Sequence, residues 1–112
     1  MLPRVQGAPD LVGFELSIVV PTLNEADCLP ELVRCLDSLQ LPVTWEVIFV
    51  DDDSADESRN VIKTMAATDA RVRLLHRIGR RGLASAVIEG MLASTAPMVA
   101  VMDADMQHEV VA

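Results

Sequence analysis

Residues 46–58 read Glu46-Val47-Ile48-Phe49-Val50-Asp51-Asp52-Asp53-Ser54-Ala55-Asp56-Glu57-Ser58. A short apolar run rich in β-branched residues, with no polar alternation, is the pattern of a strand covered on both faces. It ends on three consecutive aspartates. Ser54 followed three residues later by Glu57 has the form of a capping box, which predicts a helix beginning there. Val61, Ile62 and Met65 would be its inward positions. A doubly buried strand running through an acidic turn into a helix is one half of a strand-helix-strand unit.

The same unit recurs on either side. Upstream, Leu16-Ser17-Ile18-Val19-Val20 predicts a buried strand stopped by Pro21. Leu29, Leu32, Val33, Leu36 and Leu39 then fall on one helical face. Asn24 or Asp27 is placed to cap that helix, and Pro30 is tolerated in its first turn. Downstream, Val72-Arg73-Leu74-Leu75-His76 predicts a third strand, and the turn from Gly79 to Gly82 is basic. Leu83, Ala86, Val87, Gly90 and Met91 mark a third helix. Met98-Val99-Ala100-Val101-Met102 predicts a fourth strand that delivers Asp103. Strict alternation of strand and helix predicts an α/β fold with a Rossmann-like parallel sheet and right-handed crossovers. Residues 1–14, with prolines and glycines, read as a flexible leader ahead of a single unit over 15–112.

Ligands of such sheets bind at the carboxyl ends of the strands. Pro21-Thr22-Leu23-Asn24-Glu25, Asp51-Asp52-Asp53-Ser54 and Asp103-Ala104-Asp105 all follow strand ends and should gather on one rim. Asp103 and Asp105 are hard oxygen donors suited to Mg²⁺ or Mn²⁺, and Gln107 repeats the same spacing. Asp51 and Asp52 are placed to accept hydrogen bonds from a nucleobase or ribose, or else to complement the next helix N-terminus. Arg80, Arg81 and Gly82 precede a helix and suit a phosphate.

Composition narrows the partners. The chain has 112 residues, 51% hydrophobic and 23% charged, with a net charge of −8. That balance describes a globular unit, and the negative charge argues against nucleic acid. Phe14, Trp45 and Phe49 are the only aromatics, too few for a stacking platform. Cys28 and Cys35 lack metal-ligand spacing and read as small apolar residues in a reducing compartment. There is no P-loop lysine motif, G-x-G-x-x-G fingerprint or legible Ser-His-Asp set.

Val20-Pro21-Thr22-Leu23-Asn24-Glu25, Val50-Asp51-Asp52-Asp53-Ser54-Ala55-Asp56, Arg81-Gly82-Leu83 and Met102-Asp103-Ala104-Asp105-Met106-Gln107-His108 together resemble the family 2 glycosyltransferases. The likeness runs from about residue 15 to 109 and is nearest to the dolichol-phosphate mannose synthase group and related polyprenyl-phosphate glycosyltransferases. It implies the N-terminal, nucleotide-binding half of a GT-A fold. By the same resemblance Pro21, Thr22, Asn24, Glu25, Asp51, Asp52, Arg81 and Asp103 would meet the nucleotide-sugar. Asp103, Asp105 and Gln107 would hold Mg²⁺ or Mn²⁺. The implied reaction is inverting transfer of a hexose from a GDP- or UDP-sugar to a polyprenyl phosphate, at the cytoplasmic face of a membrane. The acceptor-binding half would lie beyond residue 112, so these residues alone are expected to bind donor weakly without turnover. A sugar-nucleotidyltransferase-like domain is the alternative, disfavoured because no glycine-rich basic loop follows the first strand. Three positions depart from the family pattern: Leu23 replaces a frequent Tyr, and Asp53 and Glu57 replace frequent glycines. Asp53 is therefore expected to tolerate a positive φ. An incomplete sheet would also expose apolar surface, so self-association is expected.

Overall fold

A computed structural model describes residues 13–79 and 82–105; the rest of the leader, Arg80 and Arg81, and the segment from Met106 to Ala112 lie outside them. Seven elements alternate in the predicted order. They are β1 (Leu16–Thr22), α1 (Leu29–Ser38), β2 (Trp45–Asp51), α2 (Ser58–Thr68), β3 (Val72–His76), α3 (Leu83–Ala93) and β4 (Met98–Val101). The four strands form one parallel sheet in the order β3-β2-β1-β4. The chain first steps outward from β1 to β3, then returns past β2 and β1 to lay β4 on the other side.

Strand periodicity assigns the core. Ile18, Val20, Val47 and Phe49 point to one face, where Leu29, Leu32 and Leu36 of α1 and Ile62 of α2 cover them. Val19, Ile48 and Val50 point to the other, beneath Ala86 of α3. Each of these fully buried β-branched side chains contributes roughly 1.5–3 kcal/mol of apolar burial. The helices change face where the direction of strand addition reverses, as right-handed crossovers require. Gly90 lets α3 lie close to the sheet: a β-carbon there would stand 3.0 Å from Val50 Cγ2 and nearer still to Val19 Cγ1.

Three local expectations are corrected. β1 does not stop at Pro21 but runs to Thr22, with Pro21 opposite Val50. The Val19 carbonyl accepts the Met102 N–H, so the odd-numbered backbone groups of β1 face β4. By Pro21, β4 has already ended, and the missing N–H removes no ladder bond. The Ser54–Glu57 capping box does not form. α2 starts at Ser58 with Glu57 at its N-cap and no side-chain cap bond, and Ser54 Oγ accepts the Asn24 N–H instead of a helix N–H. Nor does Asn24 or Asp27 cap α1, whose N-cap is Cys28 without a side-chain cap bond; Pro30 does sit in its first turn.

Candidate functional site

The reversal of strand order places a switch point between β1 and β4, where open parallel sheets bind ligands. A cleft of about 420 Å³ opens there. Pro21, Thr22, Leu23 and Glu25 from the end of β1 line it, with Asp52 from β2. Gly82 and Leu83 at the start of α3 and Asp103, Ala104 and Asp105 beyond β4 complete the lining. The three rim motifs therefore converge as expected.

Not every expected side chain faces the cleft. Asp52 does, while Asp51 is wholly buried and turned toward α2. Its carboxylate accepts the Ser54 N–H at 2.9 Å, the Ser54 hydroxyl at 2.5 Å and Arg59 Nη1 at 3.1 Å. Asn24 adopts a left-handed φ of 53°, and its side-chain carbonyl accepts the N–H groups of Ala55 and Asp56 at 2.8 and 3.3 Å. In return the Asn24 N–H donates to Ser54 Oγ at 2.9 Å and the Glu25 N–H to Ser58 Oγ at 3.0 Å. Asn24 and Asp51 are absent from the cleft lining; the Asn24 side chain ties the loop after β1 to the loop after β2, and the Asp51 side chain ties the loop after β2 to α2. Asp53, at φ 61°, takes the turn that its replacement of glycine demands. Arg81 and Gln107 lie outside the described residues.

Asp52 is held from behind. Arg77 Nε donates to Asp52 Oδ1 at 2.6 Å and Nη2 to Oδ2 at 3.0 Å. The Gly82 N–H reaches Oδ2 at 3.3 Å. Hydrogen bonds donated to Asp52, then to Glu89, hold the Arg77 guanidinium protonated well above its ordinary range, against its burial. The sequence pattern does not single out Arg77; its place directly after β3, on the same rim, was the available signal. Leu83 and Ala104 were likewise not singled out as lining residues.

The other wall is acidic. Burial raises the Glu25 carboxyl above its usual range, with the Asp105, Asp103 and Asp56 carboxylates adding to it and the Leu23 N–H opposing. Among the described residues no three His, Cys, Asp or Glu side chains form a ready-made cation cage. The protein thus offers a carboxylate pair, Asp103 and Asp105, with a third carboxyl near enough to feel it. Such a site fits a hard divalent cation whose remaining ligands come from a diphosphate and water.

Fold and cleft define an open parallel α/β protein with an acid-lined cleft at its switch point. The chain belongs to glycosyl transferase family 2, whose sequence model matches residues 17–110. The dolichol-phosphate mannosyltransferase of Pyrococcus furiosus is 34% identical over 95 residues, covering 85% of this chain and 27% of that protein. The dolichol-phosphate mannosyltransferase of Saccharomyces cerevisiae is 34% identical over 100 residues, covering 87% of this chain and 38% of its own length. Among solved structures, mannosyltransferase PcManGT from Pyrobaculum calidifontis, in complex with GDP-Man and Mn²⁺, superposes with a TM-score of 0.70. It is 28% identical and covers 82% of this chain and 28% of that one. The present chain thus spans between about a quarter and two fifths of these proteins' lengths. It has the N-terminal part of the GT-A fold.

Proposed function

We propose that the chain forms the donor-binding part of a metal-dependent glycosyltransferase that moves a hexose from a GDP- or UDP-sugar to a polyprenyl phosphate, with inversion. The observation that carries this reading is the cleft itself. Asp52 lies on one side of the β1–β4 switch point and Asp103 and Asp105 on the other. A nucleoside diphosphate has the matching polarity: N–H and hydroxyl donors at one end, and anionic oxygens that need a cation at the other.

In this reading Asp103 and Asp105 hold Mg²⁺ or Mn²⁺, with Gln107 as a further oxygen ligand and Arg81 near the phosphates. The cation neutralises the diphosphate, both for binding and for its departure. Asp52 accepts hydrogen bonds from the nucleoside, and Pro21, Thr22 and Glu25 form the floor between the two ends. Asn24 and Asp51 serve by fixing the loops that carry these groups. A polyprenyl phosphate is already anionic near neutral pH, so its attack needs alignment and charge stabilisation more than a base. Two relatives named as dolichol-phosphate mannosyltransferases support that acceptor class. Among the described residues no helix is long and apolar enough to cross a membrane; in this reading the lipid acceptor brings the whole protein to a membrane, and we take the face to be the cytoplasmic one.

Calorimetry with GDP and with UDP tests the reading, with and without Mn²⁺, on wild type and Asp105→Ala. The expected result is binding by wild type in Mn²⁺, weakened by about tenfold or more, about 1.4 kcal/mol, when either the metal or the Asp105 carboxylate is removed. Equal affinity in all four conditions would overturn the metal bridge.

A further inference from the structure

Arg77 is the largest fully buried side chain among the described residues. Its guanidinium holds Asp52 by the two-pronged contact already described, and Nη2 also donates to the Gly82 carbonyl at 3.1 Å. Nη1 donates to Ser85 Oγ and Glu89 Oε2, each at 2.9 Å. These contacts engage all five N–H donors of the side chain. The Arg77 backbone N–H donates to the Asp51 carbonyl at 2.8 Å. One buried cation therefore joins the end of β2, the start of α3 and the second turn of α3. Two of the residues it grips, Asp52 and Gly82, line the cleft.

A planar fork fixes a carboxylate in a way a point charge cannot. With both oxygens of Asp52 held in one plane from the protein side, the lone pairs left toward the cleft have a fixed direction. An ionised carboxylate only accepts, so a cleft group that meets it must be a donor, such as a nucleobase N–H or a ribose hydroxyl. Asp103 and Asp105 lie across the cleft and receive none of the hydrogen bonds from Arg77 described here.

We propose that Arg77 is a positioning residue for the nucleoside half of the donor: it sets the orientation of Asp52, and leaves the metal end at Asp103 and Asp105 untouched. The inference rests on the donor-site reading above. It separates two contributions to affinity that loss of structure would lower together.

The test titrates the 112-residue chain with GDP, UDP and inorganic pyrophosphate, each in Mn²⁺, and follows thermal unfolding of the same samples. Arg77→Lys keeps the charge and loses the fork. Its affinity for GDP or UDP should fall about tenfold while its pyrophosphate affinity stays within about twofold. Glu89→Gln keeps the Asp52 contact and weakens the other arm of Arg77, and should show a smaller loss with the same selectivity. If Arg77→Lys does not fold, Glu89→Gln carries the test. Unchanged nucleotide affinity in the folded variants overturns the role, and so does an equal loss for nucleotide and pyrophosphate. A wild-type chain that binds none of the three overturns the donor-site reading, and this role with it. Wild-type binding without the selective loss overturns this role alone.

Discussion

Asp51 and Asp52 are chain neighbours with identical side chains, and the alternation of a strand sends them to opposite faces of the sheet. Asp51 shares its parity with Val47 and Phe49 and meets Ser54 and Arg59 on the α2 side. Asp52 shares its parity with Ile48 and Val50 and meets Arg77 and Gly82 on the α3 side. Burial thus makes one a brace and leaves the other open to the cleft. Asp69 shows a third use of the same side chain, beyond the opposite end of the sheet. Arg71 grips it through Nε and Nη2 at 3.0 and 2.9 Å, and the guanidinium lies 4.2 Å over the Trp45 ring. The Arg71 hydrogen bonds hold the Asp69 carboxyl below its ordinary value of 3.8, with burial opposing. The folded group is the stronger acid, so the unfolded chain binds more protons on acidification. Its stabilisation is complete above pH 3.8 and is lost as pH falls through and below that value. Asp69→Asn should therefore cost up to about 1 kcal/mol at pH 7, and close to nothing at about pH 2. Urea unfolding of both proteins at the two pH values measures the difference. A gap of equal size at both would show that Asp69 contributes by shape alone.

At the scale of elements, α3 connects packing to the site. Its N-terminal end carries Gly82 and Leu83 in the cleft wall, and its middle rests on the sheet at Gly90. Gly90→Ala would gain roughly 1 kcal/mol of helix propensity. The new methyl would meet Val19 and Val50, both fully buried in the two central strands, and overpacking of this kind costs about 1–3 kcal/mol. The expected outcome is a net loss of about 1 kcal/mol in denaturant unfolding, with weaker nucleotide binding as the cleft wall shifts. A variant more stable than wild type would show that α3 rides loosely on the sheet. The elements themselves were legible because the strands are short and largely apolar, with β1 and β2 buried along nearly their whole length, and the helices repeat their apolar positions. The rim was legible because parallel strands deliver their ends to one side. Contacts between rim loops were not. Ser54 reads as a cap from its spacing to Glu57, yet its oxygen accepts the Asn24 N–H at 2.9 Å from the loop after β1. Asn24 reads as a cap for its own helix, yet it serves the loop before α2, over 30 residues away. Arg77 joins Asp52, Gly82, Ser85 and Glu89, which no local pattern brings together.

For the whole molecule, the unbalanced feature is the outer surface of α3. Leu92 is 79% exposed and Ile88 56%, and Met98 is also exposed on β4. Among the described residues β4 pairs only with β1, so its other edge presents unpaired backbone groups. Exposed apolar side chains beside an open strand edge favour association with a second copy. The net charge of −8 opposes it, but the charge lies elsewhere. Glu89 is the only ionisable side chain of α3, and it is paired with Arg77. Burial between copies is short-ranged and insensitive to salt, whereas repulsion between two anionic molecules is screened by it. Association should therefore strengthen with ionic strength, opposite to a contact held by ion pairs. Sedimentation velocity should show the average mass rising with protein concentration, and rising further between about 0.05 and 0.5 M salt. Leu92→Lys, at the end of α3 away from the cleft, should return the chain toward monomer without altering its melting temperature. A monomer at every concentration and salt would mean that the α3 face does not bind its own kind. An assembly that weakens with salt would locate the contact on the charged surface instead.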